Sequence, residues 1–171
     1  MTTALYAGSF DPVHLGHVDM VEKAAACFEH VVVAVLSNPR KPSGMFTTTA
    51  RLHLLHRATE HLANVTTTTF DGLTVDLARE VGAAVLVRAA HKEGRTEYEM
   101  AAINLDLAAI PTVFFAPSAD TAAISSSIIR TLAENGRVDA ALSLVPPCVG
   151  QALSDLAATQ TMAASQLPPD R

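Results

Sequence analysis

A continuous β-branched run, HVVVAVL at residues 30–36, constrains the fold of this chain more than any other feature. Because polar and apolar residues do not alternate in it, the run is typical of a strand that is covered on both faces, as in a parallel sheet. Residues 17–28 precede it with apolar side chains on one helical face, and a short apolar strand at residues 4–8 comes before that helix. The order strand, helix, strand predicts a right-handed crossover between parallel strands.

The same alternation continues along the chain. Helical segments at 51–62, 74–81 and 97–110 separate strand-like segments at 65–70, 83–89 and 112–117. We therefore predict an α/β fold, a doubly wound open parallel sheet of the Rossmann-like type, in one domain over residues 1–162. Residues 163–171 are predicted to form a frayed tail.

Composition and charge exclude several classes of protein. Hydrophobic residues make up 49% of the 171 residues and charged residues only 17%, which excludes a disordered chain. The formal net charge of −5 argues against nucleic-acid binding as the main activity. No apolar run approaches the roughly 18 residues of a membrane span. The first residues lack the basic start and apolar stretch of a secretion signal, so we expect a cytoplasmic protein without membrane contact.

Polar loops follow four of the predicted strands. They lie at 8–17, 38–41, 87–92 and 116–127. Ligands of doubly wound sheets bind beyond the carboxyl ends of the strands. We therefore expect these loops to meet at a single crevice.

The first of these loops carries the most specific motif in the chain, GSFDPVHLGH. His14 and His17 lie at the start of the predicted helix, where backbone N–H groups and the helix dipole attract an anion. Gly16 lets the main chain approach a phosphate closely, and His17 can donate a hydrogen bond to a phosphoryl oxygen. The two histidines could instead cap the helix or fill a packing site. A metal site is the weaker interpretation, because it needs a third ligand.

With this motif the chain resembles the nucleotidyltransferase superfamily that carries the HxGH signature and, within it, the bacterial phosphopantetheine adenylyltransferases. Further motifs carry the resemblance: NPRKP followed by MFT, the pair HL and NV near residue 61, VLVR followed by EYEM, and ISSS before the last helices. The resemblance implies a nucleotidyltransferase fold and the transfer of AMP from MgATP to the phosphate of 4′-phosphopantetheine. Pyrophosphate and dephospho-coenzyme A would be the products, and the chain would assemble as a hexamer.

The resemblance also assigns roles to residues. It implies three catalytic side chains: His17 at the transferring α-phosphate, and Lys41 and Arg88 at the phosphate of the acceptor. It places ATP contacts at Ser9, Phe10, His14, His17, Ala89, His91, Glu99, Ser125, Ser126 and Ser127, and acceptor contacts at Ser9, Lys41, Thr74 and Arg88. No protein metal site is implied, since Mg²⁺ arrives with ATP and no carboxylate cage is visible.

The chemistry of the acceptor agrees with these roles. A phosphate monoester, with a second pKa near 6, is largely a dianion at neutral pH and needs no general base. Catalysis then consists of positioning and charge neutralisation around an in-line displacement.

Several residues depart from the family pattern. His91 stands where the family has a second arginine, which weakens an ATP-phosphate contact that Lys92 or Arg95 could replace. Asp106 lies on the acceptor side where Asn-Arg is usual, and residues 121–123 are small where an aromatic residue is often found. Two alternatives therefore stay open: a nucleotidyltransferase with another phosphorylated or carboxylated acceptor, or with CTP as donor, and a nucleotide- or coenzyme-binding regulator without turnover.

Overall fold

The computed structural model describes residues 2–37, 44–90 and 95–165. Within these ranges the chain forms strands β1 (Thr3–Gly8), β2 (His30–Ser37), β3 (Val65–Asp71), β4 (Val85–Ala89) and β5 (Thr112–Phe115). The helices are α1 (Leu15–Cys27), α2 (Thr48–Thr59), α3 (Thr74–Glu80), α4 (Arg95–Ala108), α5 (Ser126–Glu134), α6 (Val138–Leu142) and α7 (Pro147–Ser165).

The strands form one parallel sheet in the order β3-β2-β1-β4-β5. Strand β1 pairs with β2 from Thr3↔His30 to Gly8↔Val35, and on its other side with β4 through Leu5↔Leu86. From β1 the chain moves outward to β2 and β3 on one side of the sheet, and it then returns to β4 and β5 on the other side. A doubly wound sheet opens a crevice for ligands at such a reversal, here between β1 and β4. The predicted fold class is confirmed.

The sheet is covered on both faces, as the β-branched run predicted. Alternate residues of β2 enter two different clusters: Val31, Val33 and Val35 pack with α1, α2, α5 and α7, whereas Val32 and Ala34 pack with α3. Each of these five side chains is at most 5% exposed. Burial of this central strand on both faces fixes the position of the loops at its carboxyl end.

Two of the helices begin at residues that favour a helix start. Thr47 caps α2, its Oγ1 accepting a hydrogen bond from the N–H of Ala50 at 3.2 Å, and Pro147 opens α7 at a position that proline favours.

Helix α7 is described to Ser165, and the domain boundary at residue 162 stays a prediction. Among the described helices, none is both long and apolar enough to cross a membrane.

Candidate active site

The loop between β1 and α1 is held in place from two sides. The carboxylate of Asp11 accepts hydrogen bonds from the N–H groups of Met45 and Phe46, both at 2.9 Å. On the other side, the guanidinium of Arg130 in α5 donates to the main-chain carbonyl of Asp11 at 2.6 Å. The loop therefore joins the start of α2 to the start of α5, and the motif it carries lies between them.

His14 and His17 form a reciprocal cap at the start of α1. The N–H of His17 donates to Nδ1 of His14, the N–H of His14 donates to Nδ1 of His17, each at 3.3 Å, and the two rings stack with centroids 3.6 Å apart. An Nδ1 that accepts a hydrogen bond carries no proton, so in the neutral ring the proton lies on Nε2. The cap thereby makes Nε2 of His17 a donor.

The aromatic rings of Phe10 and Tyr6 lie next to the ring of His17. Phe10, which the sequence assigned to ATP, is 1% exposed and meets the edge of the His17 ring at a centroid distance of 4.8 Å. Tyr6 packs edge-on against Phe10 at 5.5 Å, and burial raises the pKa of its phenol, with Arg88 opposing and Glu97 reinforcing that rise. Tyr6 is therefore a neutral phenol, and its ring centroid lies 6.4 Å from that of His17.

A cavity of about 530 Å³ opens beside these rings. Five of the predicted ATP residues line it: His14, His17, Ala89, Ser125 and Ser126. The other lining residues are Tyr6, Gly16, Met20, Pro117, Ile124 and the small residues 121–123. The structure thus brings the loops after β1, β4 and β5 to one cavity, as expected from their places at the strand ends.

The serine run forms the start of α5 at this cavity. Ser125 is the N-cap, and its Oγ accepts a hydrogen bond from the N–H of Ile128 at 3.3 Å. Ser126 donates from its Oγ to the carbonyl of Pro12 at 2.9 Å, and Ser127 accepts from Arg130 at 3.2 Å. The N-terminal end of a nine-residue helix, with its unsatisfied N–H groups, therefore faces the cavity that His17 lines.

Arg88 lies at the carboxyl end of β4, next to the cavity residue Ala89. Its Nη1 donates to the carbonyl of Ala7 on β1 at 2.7 Å, and its Nε pairs with the carboxylate of Glu97 at 3.1 Å. The Arg88 side chain is 20% exposed and that of Glu97 is 45% exposed. Two anchors thus fix a guanidinium at the same edge of the sheet as His17.

The other predicted residues lie farther from the cavity lining. Ser9 is exposed on the first loop, where its carbonyl accepts from Arg51 at 2.9 Å; Thr74 begins α3, and Glu99 is exposed on α4. Lys41 and His91, with the substitute Lys92, lie outside the described residues.

Three side chains that the sequence interpretation did not single out contribute to this region. They are Asp19, Glu97 and Arg130. Arg130 follows the serine run by one helical turn and could have been found from that spacing. Asp19 follows His17 by only two residues, which places it on a different side of the helix, so helical spacing does not reveal it. The ion pair of Glu97 with Arg88 joins α4 to β4 and has no signal in the sequence.

Comparison with known proteins gives one family. The cytidylyltransferase-like family matches residues 5–132. The chain is 45% identical over 158 residues to a phosphopantetheine adenylyltransferase of Symbiobacterium thermophilum, covering 91% of this chain and 96% of that protein. It is 41% identical over 150 residues to the protein of that name from Synechocystis sp., covering 85% and 92%. A third such protein, from Heliobacterium modesticaldum, is 42% identical over 139 residues, with 80% and 82% covered.

Solved structures show the same fold. A putative nicotinate-nucleotide adenylyltransferase from Vibrio parahaemolyticus superposes with a TM-score of 0.63 at 18% identity, covering 90% of this chain and 99% of that one. A lipopolysaccharide core biosynthesis protein from Thermoplasma volcanium superposes with a TM-score of 0.51 at 20% identity, covering 69% and 97%. At these identities the likeness establishes the fold alone.

Proposed function

This chain belongs to the phosphopantetheine adenylyltransferases of the cytidylyltransferase-like family, and on that premise we propose that it transfers AMP from MgATP to the phosphate of 4′-phosphopantetheine. The observation that carries the proposal is the arrangement around Tyr6. The ring centroids of His17 and Tyr6 are 6.4 Å apart, and the guanidinium of Arg88 donates to the carbonyl of Ala7, the next residue of β1, at 2.7 Å. A donor for ATP and a cation for the acceptor therefore share one edge of the sheet.

The reaction needs charge stabilisation more than proton transfer. An oxygen of the acceptor's phosphate dianion attacks the α-phosphorus of ATP, a new P–O bond forms, the bond to the β-phosphate oxygen breaks, and pyrophosphate leaves. His17 is proposed to donate from Nε2 to the α-phosphate as negative charge grows there. The N-terminal end of α5, with the hydroxyls of residues 125–127, would hold the β- and γ-phosphates.

The cationic residues divide between the substrates in this proposal. Arg88 binds the acceptor's phosphate, because a guanidinium offers donors in the planar geometry that phosphate oxygens match. Lys41 is assigned to the same phosphate and His91 to ATP through the family resemblance alone. Arg130, anchored to the first loop and to Ser127, adds positive charge near the start of α5 and offsets part of what the change to His91 removes.

Magnesium enters the proposal as part of the MgATP substrate. Within the described residues, no three His, Cys, Asp or Glu side chains come together as a metal site. The carboxylate of the first loop, that of Asp11, already accepts hydrogen bonds from two main-chain N–H groups. This donor set fits a cation that is carried by the phosphates, where it would neutralise charge on the leaving pyrophosphate.

The proposal includes self-association, with the hexamer that the family resemblance implies. Helix α4 carries large apolar side chains that are 45–57% exposed in the single chain: Tyr98, Met100, Ile103, Leu105 and Leu107. Three of them, Met100, Ile103 and Leu107, follow helical spacing and share one face, which is costly to leave in water. Light scattering coupled to gel filtration would measure the assembly, and Ile103→Asp should shift it towards the monomer. A wild-type monomer at micromolar concentration would contradict this part.

We place the enzyme in the cytoplasm, where its ATP substrate is found.

The deciding experiment incubates the protein with ATP, Mg²⁺ and 4′-phosphopantetheine and measures dephospho-coenzyme A by liquid chromatography. His17→Ala serves as the control with strongly reduced turnover. Formation of the product by the wild type, at a rate that falls sharply in this variant, supports the proposal. Pyrophosphate release only with another phosphorylated or carboxylated acceptor, or only with CTP, would contradict it. Ligand binding without pyrophosphate release under any of these conditions would contradict it as well and would favour a regulator.

A further inference from the structure

The wall of the cavity that lies after β5 has no regular secondary structure. Residues 116–125, between β5 and α5, form turns, and Pro117 and residues 121–125 of this segment line the cavity. A wall of this kind keeps its shape only if its polar groups are bound elsewhere. Five such bonds go to two side chains of α1, Asp19 and Lys23.

Two side chains of α1 hold this wall. The carboxylate of Asp19 accepts from the N–H of Ser118 at 2.9 Å, from the Oγ of Ser118 at 2.7 Å and from the Oγ1 of Thr121 at 3.2 Å. Lys23 donates to Asp19 at 2.8 Å, to the carbonyl of Ala116 at 2.7 Å and to the Oγ of Ser118 at 3.0 Å. We call this group, Asp19 and Lys23 with Ser118 and Thr121, the wall clamp.

The wall also lies directly on the first turn of α1. A Cβ on Gly16 would be 3.3 Å from the carbonyl oxygen of Thr121 and 3.0 Å from the ring of His14. Real Cβ atoms seldom come so close, so the absence of a side chain at Gly16 allows the wall to pack against the histidine cap. The wall therefore contacts α1 at two successive turns.

Asp19 is a charged carboxylate at neutral pH. Its burial raises the pKa, but hydrogen bonds from Lys23 and from Ser118 outweigh that effect and lower the pKa to about 2. The carboxylate is 14% exposed and is absent from the cavity lining. It acts on the wall and not on a substrate.

We propose that Asp19, with Lys23, is a positioning residue for ATP, because the wall clamp holds the 116–123 segment at a set distance from His17. The inference rests on the proposed function and deepens it. His17 and Asp19 belong to one helix, so the wall and the donor for the α-phosphate move as one rigid body. Loss of the wall clamp releases the wall and leaves His17, Arg88 and the acceptor site unchanged.

The test compares Asp19→Ala with Asp155→Asn and Asp19→Asn. Asp155 lies exposed on α7, where its carboxylate accepts from the Gln151 amide at 2.8 Å, and it is absent from the cavity lining. We expect Asp19→Ala to raise KM for ATP roughly tenfold, the loss typical of charge-assisted hydrogen bonds, and KM for phosphopantetheine by no more than about twofold. Asp19→Asn retains acceptor oxygen for Ser118 and should recover part of the loss, and Asp155→Asn should match the wild type.

Other results would overturn the inference. An unchanged KM for ATP in Asp19→Ala, or equal rises in both KM values, would show that Asp19 only stabilises the fold. If Asp19→Ala does not fold, Ser118→Ala removes one hydroxyl from the wall clamp and should still raise KM for ATP selectively; an unselective effect there counts against the inference too. Wild-type turnover, measured first, tests the proposed function separately. If the wild type does not turn over, calorimetry of ATP binding gives the same comparison, and equal affinities of wild type and Ser118→Ala would overturn the inference.

Discussion

The two sides of the crevice are held by different means. On the nucleotide side, Asp19 and Lys23 make five hydrogen bonds to residues 116–121, and Ser126 ties the start of α5 to Pro12. On the acceptor side, Arg88 is anchored by the carbonyl of Ala7 and by a half-exposed carboxylate, that of Glu97. The nucleotide side is a network of mutually supporting contacts, whereas the acceptor side depends on one guanidinium with two anchors.

This difference indicates how each side of the crevice responds when one of its residues is substituted. A network in which each group has several partners keeps its geometry when one contact is weakened, so it suits a donor that is always the same triphosphate. A single guanidinium can be redirected by one substitution, because an exposed ion pair contributes little. We therefore expect the acceptor side to control selectivity between phosphorylated acceptors. The following predictions test this contrast, beginning with the largest effect.

Removal of His17 should have the largest effect. His17→Ala should lower kcat by roughly 10²- to 10³-fold, because a donor aimed at developing charge acts in the transition state, while both KM values change little. Steady-state kinetics with each substrate varied in turn measures the effect, and His53→Ala, an exposed histidine on α2, is the matched control. A parallel loss of ATP affinity and rate would contradict the role of His17.

Arg88 should come second, with an effect on the acceptor alone. Arg88→Lys keeps the charge and loses the planar pair of donors, so kcat/KM for phosphopantetheine should fall roughly 10- to 100-fold. KM for ATP should stay within about twofold of the wild type. Arg79→Lys on α3, whose guanidinium is 55% exposed, is the control. An equal change in the kinetics of both substrates would remove the distinction between the two sides.

Glu97 should have a smaller effect on the same side. Glu97→Gln removes the negative charge that pairs with Arg88 but keeps an amide oxygen that can accept from its Nε, and it leaves the bond to Ala7. Because the pair is partly exposed, kcat/KM for the acceptor should fall by no more than about fivefold. Kinetics with phosphopantetheine varied at saturating ATP measures it. An increase in kcat/KM would show instead that the Glu97 carboxylate competes with the acceptor's phosphate for Arg88.

The nucleotide side should show a pH signature in stability. The pKa of Asp19 is lowered from 3.8 to about 2, so its contribution is complete above pH 4 and is lost as the pH falls towards 2. We expect about 1 kcal/mol from this group after solvent screening. Urea unfolding of the wild type and of Asp19→Asn at pH 5, 4, 3 and 2 measures the difference, which should shrink over that range. A difference that stays constant would contradict the charged wall clamp.

Most of the fold could be predicted from local patterns. The run at 30–36 required cover on both faces, and the succession of strand and helix signals left few topologies that obey the crossover rule. The histidine motif and the serine run could be assigned to the starts of helices, because both are caps whose chemistry depends on neighbouring residues. The crevice followed from the placement of loops at the carboxyl ends of strands.

The support of the site could not be predicted in the same way. Asp19 reaches Ser118 across 99 positions of the chain, Arg88 reaches Ala7 across 81, and Arg130 reaches Asp11 across 119. No local periodicity carries such pairings, since they depend on how far each helix is rotated against the sheet. Phe10 is an example: the family resemblance assigned it to ATP, and only the packed structure shows that its ring lies against His17.

The amino-acid sequence by itself determined the order of strands and helices, the two-sided burial of β2 and the identity of the groups that can hold phosphate, because each depends on residues near one another in the chain. The tertiary structure alone decided which carboxylates hold those groups in place and that small residues at 121–123 form a cavity wall. Those contacts exist only when α1, β1, β4 and the segment after β5 are packed together, and their geometry arises from that packing.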